Sequence, residues 1–370
     1  MGVKKYKLDH GIVRRSGTAH YLILFALFVA EIFILKSHSI SSKEILMSVT
    51  PLASAESSSV QSEPVLNEYN GDILFMGDSM FARSVGTQIE KGADPYEFVS
   101  DILDQASLTV ANIETTIANP ELSKQQTKTY TFNSPLSSLS LISRYIDVAA
   151  TANNHTGDYG SSATADMIEQ LASRGIKQTG LGNNRSEAFT PLIVDVPLKS
   201  SDGNLQNVKV GFLAVNDIEL SFTKVGDNKA GDAYFDKELI ANSIRSAREK
   251  GAEFVVVIPH WGIEYQTSPS ARQKEWGRIF IDSGADAVVG GHPHVIQPTE
   301  TYNGKPIVYS MGNFIFDGMS GDARIGQIIS LPLKLSTESK PGKTTIRNLT
   351  SDTPQSIRIS IDDRGFPHPL

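Results

Sequence analysis

The stretch ADAVVGGHPHVIQP, residues 285–298, holds a short apolar run, a double glycine and two histidines separated by one proline. The run reads as a buried strand that stops at the glycines. Just before it, SARQKEWGRIFIDSG (270–284) has helical periodicity and closes on glycine. A helix closed by glycine and followed by a strand buried on both faces is the repeating unit of an α/β sheet. Read as extended through residue 294, the segment points His292 and His294 the same way, so both reach one ion.

The same alternation runs outward from this point. Strands are expected at DILFMGD (72–78), LTVANIET (108–115), IDVAATANNH (146–155), VKVGFLAV (208–215), AEFVVVIPHWG (252–262) and KPIVYSMGNFIFD (305–317). Helices are expected at DPYEFVSDILDQA (94–106), PLSSLSLISRY (135–145), YGSSATADMIEQLASRG (159–175) and KELIANSIRSAREKG (237–251). From about residue 325 the pattern changes to alternating strands, QIISLPLKL and SIRISI, which suit an antiparallel edge or a further packed sheet.

An open α/β sheet places its ligands at the carboxyl ends of its strands. At those ends stand Asp78, then Asn112 and Glu114, then Asn153, Asn154 and His155, then His260, and finally His292 and His294. Of eight histidines in the chain, these four are the only ones between residues 39 and 367. Each motif has a plainer reading. Asp78 could cap a helix, Glu114 could be a turn carboxylate, the asparagines could serve a left-handed turn, and His260 could be a core histidine. Taken together, imidazole, carboxylate and amide oxygen are the donor set of manganese, iron or zinc. With no cysteine in the chain, thiolate sites and disulfides are ruled out.

Charge is distributed unevenly. Residues 1–36 carry six basic and two acidic residues, a net of +4, which leaves −11 for the rest of a chain whose total is −7. An acidic body argues against nucleic acid as a partner. YLILFALFVAEIFIL (21–35) is apolar apart from Glu31 and follows the basic flank, so the positive-inside rule puts the N-terminus in the cytoplasm and the body outside. A small-residue ASA at 53–55 lies too far beyond the apolar run for an ordinary signal cleavage. The expected organisation is a basic tail (1–18), a membrane anchor in the bilayer (19–36) and a serine-rich linker (37–69). The body (70–335) follows, and then a C-terminal extension adding an edge strand (336–370).

GDSMFARSVG, ANIETTI, TANNHTGDYG, HWGIEYQTSPSARQ and GADAVVGGHPHVIQPTETYNGKPIVYSMGNFIFD resemble, in order, blocks of the bacterial capsule-synthesis proteins of the CapA/PgsA type, associated with poly-γ-glutamate production and export. That family is similar to calcineurin-like metallophosphoesterases. The resemblance implies a core of two packed mixed sheets flanked by helices, with one or two divalent ions at the strand ends. It implies Asp78, Glu114, Asn154, His260, His292 and His294 as metal ligands, Glu114 near the place of a bridging aspartate, and His155 as the acid for the leaving group. Arg83, Asn112, Asn153 and Asn313 are the expected substrate contacts. The sequence departs from the phosphoesterase pattern at Asp78-Ser79-Met80, where Asp-x-His is usual, so one metal position has a ligand fewer.

Two functions of different class follow from the resemblance. One is an extracellular metal-dependent hydrolase, acting on a phosphoester or on an amide of the polymer. The other is an accessory subunit that binds the anionic polymer beside the membrane subunits of a capsule synthase or exporter. Nothing resembles a P-loop, and GLGNN (180–184) is a lone glycine-rich turn.

Overall fold

A computed structural model of the chain describes residues 65–218, 221–339 and 345–370. The expected tail and anchor, and the expected linker up to residue 64, lie outside the described residues. Among the described residues no helix is long and apolar enough to cross a membrane.

The elements in chain order are β1 (Val65–Ser79), α1 (Arg83–Glu90), α2 (Ser100–Leu103), β2 (Leu108–Ile113), α3 (Ser138–Tyr145), β3 (Val148–Ala150), α4 (Gly160–Ser173) and β4 (Lys177–Thr179). Next come β5 (Leu181–Gly182), α5 (Arg185–Ala188), β6 (Leu192–Lys199), β7 (Leu205–Asn216), β8 (Gly231–Asp232), α6 (Lys237–Glu249), β9 (Phe254–His260), α7 (Ala271–Asp282) and β10 (Ala287–Val289). The chain finishes with β11 (Thr299–Tyr302), β12 (Lys305–Val308), β13 (Asn313–Ile315), β14 (Ile325–Ser339), β15 (Ile346–Ser351), β16 (Gln355–Ile361) and β17 (Pro367–Pro369). The fold is mixed α/β.

Two layers of strand face each other. One runs β4-β3-β2-β1-β14-β16-β17, and the other β6-β7-β9-β10-β12-β11. Their inner residues, among them Phe75, Val110 and Val148 from one and Phe212, Val256 and Val289 from the other, form one core, with Phe75 and Phe212 in contact at 6.5 Å between ring centroids. The ladders are continuous, because Asn70 of β1 pairs with Lys199 of β6. Outside the first layer, α1, α3 and α4 bury Val85, Ile142 and Met167 against Leu74 and Ala149. Outside the second, α6 and α7 bury Ile244 and Phe280 against Leu213 and Val255. Alternation along each strand, inward then outward, supplies both faces.

Several expected elements differ. The strand assigned to 305–317 is two strands: β12 pairs with β10, and β13 pairs with β1 in the other layer. Gly312, at φ 72°, turns the chain between them, a backbone angle glycine takes without strain. The helix assigned to 94–106 is confined to Ser100–Leu103, because the Asp94 side chain accepts from the Tyr96 N–H at 2.9 Å and holds a turn there. The body begins earlier than residue 70, since Val65–Tyr69 pair with β14. By contrast α7 starts on a complete capping box formed by Ser270 and Gln273.

Candidate metal centre

Parallel pairing sets the site. Asp78 at the end of β1 is in register with Asn112 at the end of β2, and His260 at the end of β9 bridges Gly291 beyond β10. The carboxyl ends of both layers therefore meet. Asp78, Glu114, Asn154, His155, His260, His292 and His294 are all buried there.

Glu114 lies at the middle. It is fully enclosed, and neither carboxylate oxygen has a hydrogen-bond partner. Its Oε1 lies 3.8 Å from the Nε2 atoms of His155, His260 and His294 alike. A buried carboxylate left unpaired is costly, by several kcal/mol as an order of magnitude. Glu114 belongs to two triads whose donor atoms lie within 4.8 Å of one another: Glu114, His260 and His292, and Asp78, Glu114 and His294. Oxygen and imidazole donors around an unsatisfied carboxylate fit a divalent ion of the manganese, iron or zinc kind.

Neighbouring amides orient these groups. Asn112 Nδ2 donates to Asp78 Oδ1 at 2.8 Å, and Asn154 Oδ1 lies 2.7 Å from His260 Nε2. The His292 backbone N–H donates to Asp78 Oδ2 at 3.0 Å. Asn313 Oδ1 lies 2.8 Å from His294 Nδ1. His155 Nδ1 is 2.6 Å from Asp158 Oδ2 and its ring stacks on Phe132, which leaves Nε2 facing Glu114. Lys128 completes this corner, donating to Asp158 Oδ1 at 2.8 Å and to the Asn154 carbonyl at 2.6 Å.

Burial, reinforced by Asp78, holds the Glu114 carboxyl well above the usual range. Burial pushes His155 down to about 4 and His292 to about 3, and it holds His260 well below its ordinary value. For His294 burial also lowers the pKa, but the carboxylates of Glu114 and Asp78 and the Asn313 contact overcome it and raise the group to about 10. His155, His260 and His292 are thus neutral imidazoles, the form that ligates metal or accepts a proton.

The expected single strand face for His292 and His294 is not what forms. The strand ends at Val289, and the two histidines stand at φ 94° and 59° on either side of Pro293. The left-handed backbone turns the rings apart, to 6.0 Å between centroids, and sends His292 into one triad and His294 into the other. Met80, where a histidine is usual, packs with Ala82, Phe132 and Phe316, and its sulfur accepts from the Ala82 N–H.

The four expected substrate contacts, Arg83, Asn112, Asn153 and Asn313, lie at or beside the cluster. Asn112, Asn153 and Asn313 are buried. Asn153 donates to the Asn112 side chain and the Ile113 carbonyl, and Asn313 donates to the His294 and Ala323 carbonyls, so these amides brace the site. Arg83 does line the cleft of about 270 Å³ over the cluster, with Phe132, Tyr265 and Phe316. Its guanidinium is paired with Asp317 and lies over the Phe132 ring. Sequence reasoning missed Asp158, Lys128 and Asp317. Asp158 carried a signal, a carboxylate three residues after His155 in NNHTGD. Asp317 closes the block KPIVYSMGNFIFD, four residues after Asn313, while Lys128 reaches the site from a distant loop and carried none.

Comparison with known proteins agrees with the blocks read from the sequence. Residues 72–318 match the family described as bacterial capsule synthesis protein PGA_cap. The PGA biosynthesis protein CapA of Bacillus subtilis (strain 168) is 30% identical over 317 residues, 78% of this chain and 81% of that one. The capsule biosynthesis protein CapA of Bacillus anthracis is 33% identical over 169 residues, 45% of this chain and 39% of that one. Among solved structures, the calcineurin-like phosphoesterase YfkN from Bacillus subtilis aligns with a TM-score of 0.44 at 17% identity, over 77% of this chain and 91% of that one. With the family match spanning well over half of its length, the chain belongs to the bacterial capsule synthesis protein family PGA_cap.

Proposed function

We propose that this protein is a membrane-anchored, outward-facing component of capsule polymer synthesis or export, with poly-γ-glutamate as the polymer and a metal-dependent hydrolase-like centre at its strand ends. The observation that carries the centre is Glu114, buried and unpaired, shared by two triads of metal-ligand type. Asp78, Glu114 and His294 would hold one ion, and Glu114, His260 and His292 another, with Asn154 beside His260. A divalent ion bound there supplies Lewis-acid polarisation of a substrate oxygen and activation of water.

The chain's own residues account for the rest. Asp158 takes the Nδ1 side of His155 and fixes the ring, so that Nε2 is the atom free to exchange a proton with a group in the cleft. Phe132 and Phe316 give the cleft an apolar wall. Tyr130 and Tyr265, both more than half exposed, stand at the outside of that cleft.

A second reading, a polymer-binding accessory subunit without turnover, is favoured by Met80, which leaves the Asp78 triad without the histidine usual at that position. The first test measures metal in the purified full-length protein and screens it against phosphoesters and γ-glutamyl amides. Bound metal together with a hydrolytic activity that His155→Ala abolishes supports the hydrolase. Bound metal without turnover on either class leaves the accessory reading, and a protein that takes up no divalent ion under any loading condition refutes the centre.

A further inference from the structure

A second cavity, of about 570 Å³, lies one strand over from the centre and shares no lining residue with the cleft above it. Asn216, the last residue of β7, is in register with His260 and forms part of its wall. Opposite lies Asp232 of β8, essentially enclosed. Asp232 Oδ2 accepts from Asn216 Nδ2 at 2.7 Å, and Oδ1 is buried with no hydrogen-bond partner at contact distance, while the Thr223 hydroxyl and the Lys229 ammonium act on the carboxylate from nearby. Asn216 cannot serve Oδ1 as well, because its amide also donates to the Ile218 carbonyl and accepts from the Ile218 N–H. Phe222 and Tyr234 give the cavity apolar surface. Lys224 also lines it, with Nζ 3.7 Å from the Tyr234 ring centroid and no ion pair to a carboxylate among the described residues.

We infer that this cavity is a binding site for a small amino-acid-type zwitterion, its ammonium group on Asp232 and its carboxylate toward Lys224. An ammonium supplies the donor that Asp232 Oδ1 lacks, and a charge-assisted hydrogen bond is the strong kind. One carboxylate, no imidazole and a lysine do not make a divalent-metal site. The volume is in the range of small-molecule pockets and far exceeds the roughly 30 Å³ share of one water. Burial pushes the Asp232 carboxyl up to about 7, against Asn216, Thr223 and the Lys229 charge, which pull it down.

This site stands independently of the metal centre, and the experiment keeps the two apart. Full-length protein in detergent, with EDTA, is titrated calorimetrically with l-glutamate and with N-acetyl-l-glutamate, which keeps both carboxylates and lacks the ammonium. The same titrations are run on Asp232→Asn, whose side chain keeps an oxygen for Asn216. Saturable binding of l-glutamate is expected, weakened at least about tenfold both by acetylation and by Asp232→Asn. Equal affinity for the acetylated compound, undiminished binding by a folded Asp232→Asn, or no saturable binding of l-glutamate to the parent overturns the assignment. Should Asp232→Asn not fold, the comparison of the two ligands on the parent decides.

Discussion

Glu114 Oε1 lies 3.8 Å from His260 Nε2 with no hydrogen bond between them, and the same carboxylate also closes the triad of Asp78 and His294. One residue therefore links two donor sets.

That sharing predicts an asymmetry among single substitutions. Glu114→Gln removes a donor from both triads and should abolish bound metal. His292→Ala and His294→Ala each spare one triad and should each leave about half, if two ions are held. Trp261→Phe, in the core behind the site, should leave metal content unchanged. Elemental analysis of the purified variants reads this directly. Chelator should also lower the melting temperature of the parent and hardly move that of Glu114→Gln, because metal-binding energy is folding energy. Total loss of metal in His292→Ala or His294→Ala would mean a single ion.

The pH dependence has a definite sign. Without metal, the Glu114 and Asp78 carboxylates raise His294 to about 10, and burial shifts the Glu114 carboxyl upward as well. Binding a divalent ion must displace at least one proton near neutral pH. Affinity should therefore rise with pH, by about tenfold per unit between pH 6 and 9 for one proton released. Calorimetry in buffers of different ionisation enthalpy counts the protons. A pH-independent affinity would show that His294 is not displaced.

Much of this site was legible in the sequence, for a physical reason. Ligand-type residues gather at the carboxyl ends of parallel strands, so Asp78, Asn112, Glu114 and the histidine motifs could be grouped from their place after each strand-like run. Backbone events that local pattern does not encode were hidden. The left-handed angles at His292 and His294 divide a pair that spacing had joined. The turn at Gly312 moves Asn313 into the other layer, where it meets His294. Lys128 reaches Asp158 across 30 residues of chain, a contact set by tertiary packing with no periodicity to announce it.

Asn313 gives a test of that hidden support. Its Oδ1 lies 2.8 Å from His294 Nδ1 and orients the ring. Outer partners of this sort typically contribute about 10–100-fold to metal affinity. Asn313→Ala should weaken metal binding by that order without removing a donor. Asn313→Asp, which keeps an acceptor for Nδ1, should weaken it less. Equal losses in both variants would point to a packing role and would sink the orienting one.

The proposed topology is tested outside the described residues. The basic flank before 21–35 predicts an uncleaved anchor with the body exposed. Protease added to intact protoplasts should degrade the body, and mass analysis of the untreated protein should find residues 21–35 attached. A mature N-terminus near Glu56 refutes the anchor.

His155 separates the two functional readings. Its Nδ1 is held by Asp158 and its Nε2 faces Glu114, yet it belongs to neither triad. His155→Asn should thus keep metal and fold while losing a proton-exchanging group of the cleft that belongs to neither triad. General acid–base assistance contributes about 10²–10⁴ in rate, so hydrolysis by a working centre should fall by that order. An amide cannot replace it, because it does not titrate near neutral pH. In a deletion strain, folded and surface-displayed His155→Asn should then fail to restore capsule polymer. A scaffold has no use for that proton, and as a scaffold the same variant should restore polymer at the parental level. Full restoration by His155→Asn, with its metal content intact, would discard the hydrolase and leave the accessory subunit.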